Sequence, residues 1–75
     1  MDIDDEGGSY RSASVRHETL DRGTLVREVR WYSRSGNAYR WSESGGRFAY
    51  LGRVSSLNSA MGLAKKDMYY RHSPR

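Results

Sequence analysis

Apolar residues recur along this chain at two spacings, and the change from one to the other falls at Val54. Before it the period is two, the alternation of strands with one side turned inward. Residues 12–20 alternate weakly, with Ala13, Val15, His17 and Thr19 on one side and Ser14, Arg16 and Glu18 on the other, and predict an edge strand. Residues 24–32 carry Val26, Val29, Trp31 and Tyr32, types that fit a pleated surface, and predict a stronger strand. Leu25, Val29 and Trp31 share one of its sides, interrupted by Arg27. Residues 37–44 set Tyr39 and Trp41 against Ala38, Arg40 and Ser42, and residues 47–54 set Phe48, Tyr50 and Val54 against Arg47, Ala49, Leu51 and Arg53. Asp21-Arg22-Gly23 and residues 33–36 read as turns, and Gly45-Gly46 as a two-residue hairpin turn of the primed type.

After Val54, Leu57, Ala60, Met61, Ala64 and Met68 recur at three and four residues, one face of a helix. The spacing predicts a helix over residues 56–70, with Ser55 or Ser56 as N-cap, Leu57, Met61, Ala64 and Met68 buried, and Lys65 and Lys66 exposed. Lys65, Lys66 and Arg71 complement the dipole at its far end, and Pro74 stops it. Gly62 either marks a close approach to the sheet or simply costs the helix about 1 kcal/mol. The fold expected is α+β: a three- or four-stranded antiparallel meander with one C-terminal helix packed on one face. The other face stays wet unless a partner covers it.

Length and charge narrow the reading. Seventy-five residues allow one domain. With no cysteine, neither a disulfide nor a thiolate metal site supplements the small core, so the nine aromatic residues must supply much of the apolar area. No apolar run approaches the roughly 20 residues of a membrane helix, and the acidic start is unlike a secretory signal, which favours a soluble cytoplasmic protein. Asp2, Asp4, Asp5 and Glu6 place four of nine acids in the first six residues, so residues 1–9 read as a disordered acidic tail and residues 10–75 as the folded domain. From residue 7 onward 13 bases face 5 acids, a net of +8, and eleven of the bases are Arg. Arginine's planar fork suits phosphate and stacks on bases, so nucleic acid is the expected partner. The acidic tail reads as a solubilising leader, or as a competitor for the basic face.

Chemistry-bearing residues are sparse. His17, Tyr39, Arg40 and Arg47 can be cast as a small ribonuclease site, but no spacing fixes their geometry, and two histidines without cysteine make no metal site. The expectation is no enzyme and no cofactor. What stands out is Arg interleaved with aromatic residues on the strands, the composition of a surface that stacks bases and meets phosphates. Arg30, Arg40, Trp41, Arg47 and Arg53, with Lys65 and Lys66 on the helix, are the candidate nucleic-acid-binding residues. Trp41 shares its side with Tyr39 and is either core beneath the helix or a stacking platform. A protein-binding inhibitor or adaptor of phage or plasmid type is the alternative, since aromatics and Arg also dominate protein interfaces.

Tyr50-Leu51-Gly52 before the Ala60 and Ala64 helix gives residues 46–70 a resemblance to the third strand and helix of three-stranded-sheet DNA-binding domains, of the plant AP2/ERF type and the arm-binding domain of phage-type integrases. The resemblance implies a sheet laid in the major groove, with Arg30, Arg40, Trp41, Arg47 and Arg53 on it, and favours DNA over RNA. The opening Tyr-Arg-Gly signature and the helical Ala-Tyr-Asp of the AP2 type are absent. In topology the chain also resembles the four-strand-and-helix transcriptional coactivators that bind single-stranded DNA as dimers, and a homodimer would bury surplus aromatics. The function expected is a small regulatory or accessory DNA-binding protein.

Overall fold

Each predicted strand forms, and the first is stronger than its sequence suggests. In a computed structural model that describes the backbone of residues 1–72 and the side chains of residues 1–69, β1 (Tyr10–Thr19), β2 (Gly23–Tyr32), β3 (Asn37–Ser42) and β4 (Arg47–Arg53) form one antiparallel sheet in the order β1-β2-β3-β4. The helix α1 (Leu57–His72) packs on one face. The roles expected of Tyr70, Arg71, His72 and Pro74 lie outside the described side chains. β1 pairs with β2 along its whole length, from Tyr10 opposite Tyr32 to Thr19 opposite Gly23, so ladder hydrogen bonds supply what its few apolar residues do not.

The turns tell two stories. Residues 20–22 close the first hairpin, with the Thr19 hydroxyl accepting from the Arg22 amide and donating to the Gly23 carbonyl, both at 2.9 Å. The expected two-residue turn at Gly45 and Gly46 is instead a loop of residues 43–46: Ser42 pairs with Arg47, and the Gly46 amide reaches the Glu43 carbonyl at 3.3 Å. Residues 33–36 turn into β3 at Gly36, whose φ of 82° lies in the left-handed region. Its amide is bonded to Tyr32 and its carbonyl to the Val54 amide, and a Cβ there would meet the Val54 carbonyl oxygen at 3.0 Å.

β4 contains one extra residue. Ala38 pairs with Gly52 while Tyr39 pairs with Tyr50, which leaves Leu51 bulged out of register. Gly52 takes φ 147° to allow it, a region open essentially to glycine alone. Alternation predicts Val54 on the side of Phe48 and Tyr50; the bulge reverses this, and Val54 packs with the core beneath the helix. Its carbonyl accepts from the Trp31 indole N–H at 3.1 Å.

Helix and sheet meet through small residues. Val15, Val29, Ala38, Ala60, Ala64 and Met68 are buried together, flanked by Leu25, Trp31, Leu51, Val54 and Met61. Ala60 and Ala64 present little bulk, so α1 needs a shallow surface beneath it, and Ala38, Val15 and Val29 provide one. Leu57 and Met61, expected in the core, are half-buried at its margin, and Lys65 and Lys66 are exposed as predicted. Ser56 is the N-cap, with its hydroxyl accepting from the Ser59 amide at 3.1 Å. Gly62 is exposed with no neighbour near enough to require it, so it only lowers helix propensity.

The covered side of the sheet also holds charge. Arg40 is buried at 3% exposure, and its Nε and one terminal nitrogen reach one Asp67 oxygen of α1 at 3.0 and 2.7 Å. A further N–H donates to the Trp41 carbonyl at 3.0 Å. This corrects the expectation that Arg40 stands on an open binding face: it pins the helix to β3.

Candidate nucleic-acid interface

Because neighbours in a strand face opposite ways, the side chains flanking those beneath the helix project from the uncovered face. The register brings Tyr10 of β1, Arg30 and Tyr32 of β2, Tyr39 and Trp41 of β3, and Phe48 and Tyr50 of β4 onto that one side. Most of the rings thus lie on the far side, while the helix covers aliphatic and small groups together with Trp31. Adjacent rings touch across the strands: Tyr10 and Tyr32 at 5.2 Å between centroids, Tyr32 and Tyr39 at 5.8 Å, Tyr39 and Tyr50 at 5.5 Å, and Trp41 and Phe48 at 5.2 Å. Such spacings are those of tilted and edge-to-face pairs, worth about 0.5–1.5 kcal/mol each beyond area burial.

Arg30 occupies the middle of this layer. Its guanidinium carbon lies 4.6 Å from the Tyr10 ring centroid and 4.4 Å from that of Phe48, and Nε donates to Glu28 at 2.9 Å. Two rings and a carboxylate therefore fix its position. Tyr32 and Tyr39 are buried within the layer, whereas Tyr10 and Tyr50 remain 44% and 41% exposed.

Residues 1–9 run back to this same face. Ile3–Asp5 form one turn of 3-10 helix, capped by the Asp2 carboxylate on the Asp4 amide at 3.1 Å. Glu6 then points into the sheet, where its carboxylate accepts from the Tyr39 hydroxyl at 2.5 Å, the Asn37 side-chain amide at 2.7 Å and the Ser35 hydroxyl at 2.8 Å. The Asn37 oxygen accepts in turn from the Tyr50 hydroxyl at 3.2 Å. Between this segment and the rings of Trp41, Phe48 and Tyr50 lies an open hollow of about 490 Å³, with Arg47 on its rim.

Burial opposes ionisation of Glu6, but the hydrogen bonds from Tyr39, Asn37 and Ser35 outweigh it and hold its carboxyl below the usual 4.5. Burial first, and then the hydrogen bond to Glu6 and the Glu6 charge, push the Tyr39 hydroxyl well above its ordinary range, so it remains a donor. A carboxyl with a lowered folded pKa stabilises its contact fully above the ordinary value and loses that contribution as pH falls through the folded one. The Asn37 side-chain amide resonance should therefore hold steady from neutrality down to about pH 4.5 and shift below it as residues 1–9 undock. A resonance unchanged down to pH 2 would mean that Glu6 ionisation does not hold the segment.

The chain matches no protein-family model, curated protein or solved structure. Its own geometry must therefore carry the functional reading.

Of the residues predicted from sequence, Arg30 and Trp41 stand on the open face. Arg53 pairs with Asn37 on that side at the end of β4, exposed, and Arg47 is exposed at the strand's start. Arg40 is beneath the helix, and Lys65 and Lys66 lie on α1, across the sheet from the rings. His17 lies with the covered side, its ring 5.9 Å from that of Tyr69, so His17, Tyr39, Arg40 and Arg47 do not converge on a common point. Sequence reasoning missed the cluster of Glu6, Ser35 and Asn37. Its only signal was the density of acids in a chain otherwise rich in arginine.

Proposed function

We propose that this protein binds nucleic acid through the uncovered face of its sheet, as a small regulatory or accessory DNA-binding protein, with unpaired bases stacking on the rings. The observation that carries the reading is the layer of six aromatic rings around Arg30 on the side the helix leaves open, in which Tyr32 and Tyr39 are buried and Tyr10, Trp41, Phe48 and Tyr50 present accessible surface. Stacking on such rings is worth about 1–3 kcal/mol per base and tolerates any sequence, because every base has a π-face. Arg16, Arg30 and Arg53 project from this side, too few for the row of phosphates along a duplex but enough for a short single strand. DNA is placed ahead of RNA on the resemblance of residues 46–70 to sheet-based DNA-binding domains.

Anisotropy with labelled single-stranded DNA, duplex DNA and single-stranded RNA tests this. Single-stranded DNA should bind tightest, and about three phosphate contacts should give log affinity against log salt a slope near −2. Tighter duplex binding with a steeper slope would argue for groove reading instead. No binding of any of the three below about 100 µM would argue for a protein partner, a reading favoured by the peptide segment already seated on this face.

A further inference from the structure

We propose that Ser35, Asn37 and Tyr39 form an oxyanion cradle for a phosphodiester group of a bound strand, and that the chain's own acidic segment occupies it through the Glu6 carboxylate when no strand is present. The inference rests on the nucleic-acid reading of this face and adds to it a phosphate site and a competitor for that site.

Three neutral donors meet at the Glu6 carboxylate, two on Oε2 and one on Oε1. They come from the turn before β3 and from its first residues, and the surrounding structure fixes where they point. Tyr39 is fully buried, its ring set between those of Tyr32 and Tyr50 at 5.8 and 5.5 Å. Asn37 is 4% exposed, and the Tyr50 hydroxyl on its oxygen turns its amide N–H groups toward Glu6. Ser35 donates to Glu6 while accepting from the Asn37 backbone amide at 3.2 Å. Orientation is thus set before any ligand arrives, and such preorganisation lowers the cost of binding.

The chemistry of the cradle suits more than a carboxylate. A phosphodiester, like a carboxylate, is a monoanion with two equivalent oxygens, and hydrogen bonds to a charged acceptor are about twice as strong as neutral ones. Arg34 lies alongside Gly7 and Gly8 and supplies positive charge at the edge of the site. The cradle lies on β3 with Trp41, where Tyr39 pairs with Tyr50 of β4 and Trp41 with Phe48, so a phosphate held there puts the neighbouring bases beside those rings.

The acidic segment blocks both parts together. Glu6 fills the cradle, and residues 1–4 roof the hollow over Trp41, Phe48 and Tyr50. A tethered competitor acts at an effective concentration in the millimolar range, and a strand's apparent affinity falls by the fraction of molecules in which the face is open.

Full-chain variants separate the possibilities. Glu6→Ala should bind a labelled oligo-dT at least fivefold more tightly than wild type, the lower end of ordinary coupling between sites. Asp5→Asn removes the same charge one residue away, outside the cradle, and should gain less than twofold. Adding Tyr39→Phe to Glu6→Ala keeps the ring, removes one donor, and should reverse most of the gain. Equal gains from Glu6→Ala and Asp5→Asn, or a gain untouched by Tyr39→Phe, overturn the cradle and leave only bulk charge. A second measurement does not depend on nucleic acid: in Glu6→Ala, inorganic phosphate should shift the Asn37 side-chain amide resonance. If phosphate shifts it but no oligonucleotide binds any variant, the anion cradle stands and the nucleic-acid reading falls. If neither occurs, both fall.

Discussion

Asp67→Ala should cost this domain about 3–5 kcal/mol, because it strands the buried charge of Arg40. The Arg40 side chain is 4% exposed and that of Asp67 28%, and with the two carboxylate contacts at 3.0 and 2.7 Å removed, the Trp41 carbonyl is the one acceptor left to Arg40 among the described residues. A loss of that size is a large share of the whole stability of 75 residues, about 4–11 kcal/mol, so the midpoint of a urea titration followed by circular dichroism should fall sharply. Replacing both partners by apolar residues of similar volume tells a different story. Arg40→Met with Asp67→Leu should lie within about 1 kcal/mol of wild type, since desolvation of the pair offsets most of its Coulomb gain. A loss under 1 kcal/mol for Asp67→Ala would show that water reaches Arg40. The result also bears on function: Arg40→Ala is no neutral probe of binding, because any affinity it loses is lost through the fold.

Trp41→Ala should act the other way, keeping the fold and losing the ligand. Trp41 is half-buried on the ring layer, and its principal partner is Phe48 at 5.2 Å. Removing that contact should cost about 1–2 kcal/mol in thermal unfolding, little more than an aromatic pair is worth. Single-stranded DNA affinity should fall about 5- to 150-fold if one base stacks on the indole. A destabilisation of 3–5 kcal/mol would return Trp41 to the core, and a folded variant with unchanged affinity would remove the ring layer from the binding mechanism.

Much of the fold can be read from the sequence, and the reason is physical. Strand and helix impose different periods on the same apolar residues, and the switch at Val54 survives every local irregularity. Which face the helix covers is harder, because both sides of β3 carry residues that can be buried: Ala38 and Arg40 on one, Tyr39 and Trp41 on the other. The deciding feature is shape. The stripe of Ala60 and Ala64 fits the low relief of Ala38, Val15 and Val29 and would leave voids against indole and phenol rings. Arg40 defeats alternation for another reason: charged residues are usually outside, and its acid lies 27 residues away. That acid had a sequence signal, since Asp67 is the only acidic residue after Glu43. The Glu6 cradle had almost none, because its donors are neutral, lie 29 to 33 residues from Glu6, and escape any count of charges.

The bulge at Leu51 reaches further than its own hydrogen bonds. Strand parity decides on which side of a sheet a chain departs, and one supernumerary residue inverts it. β4 enters its hairpin with Phe48 turned outward and, through the bulge, leaves with Val54 turned inward, handing the chain to the helix on the aliphatic side. A β4 shorter by that residue would launch the helix toward the rings and bury the very layer now left open. The length of one strand thus works as a phase setting for the molecule, delivering the helix to the face whose low relief its alanines fit.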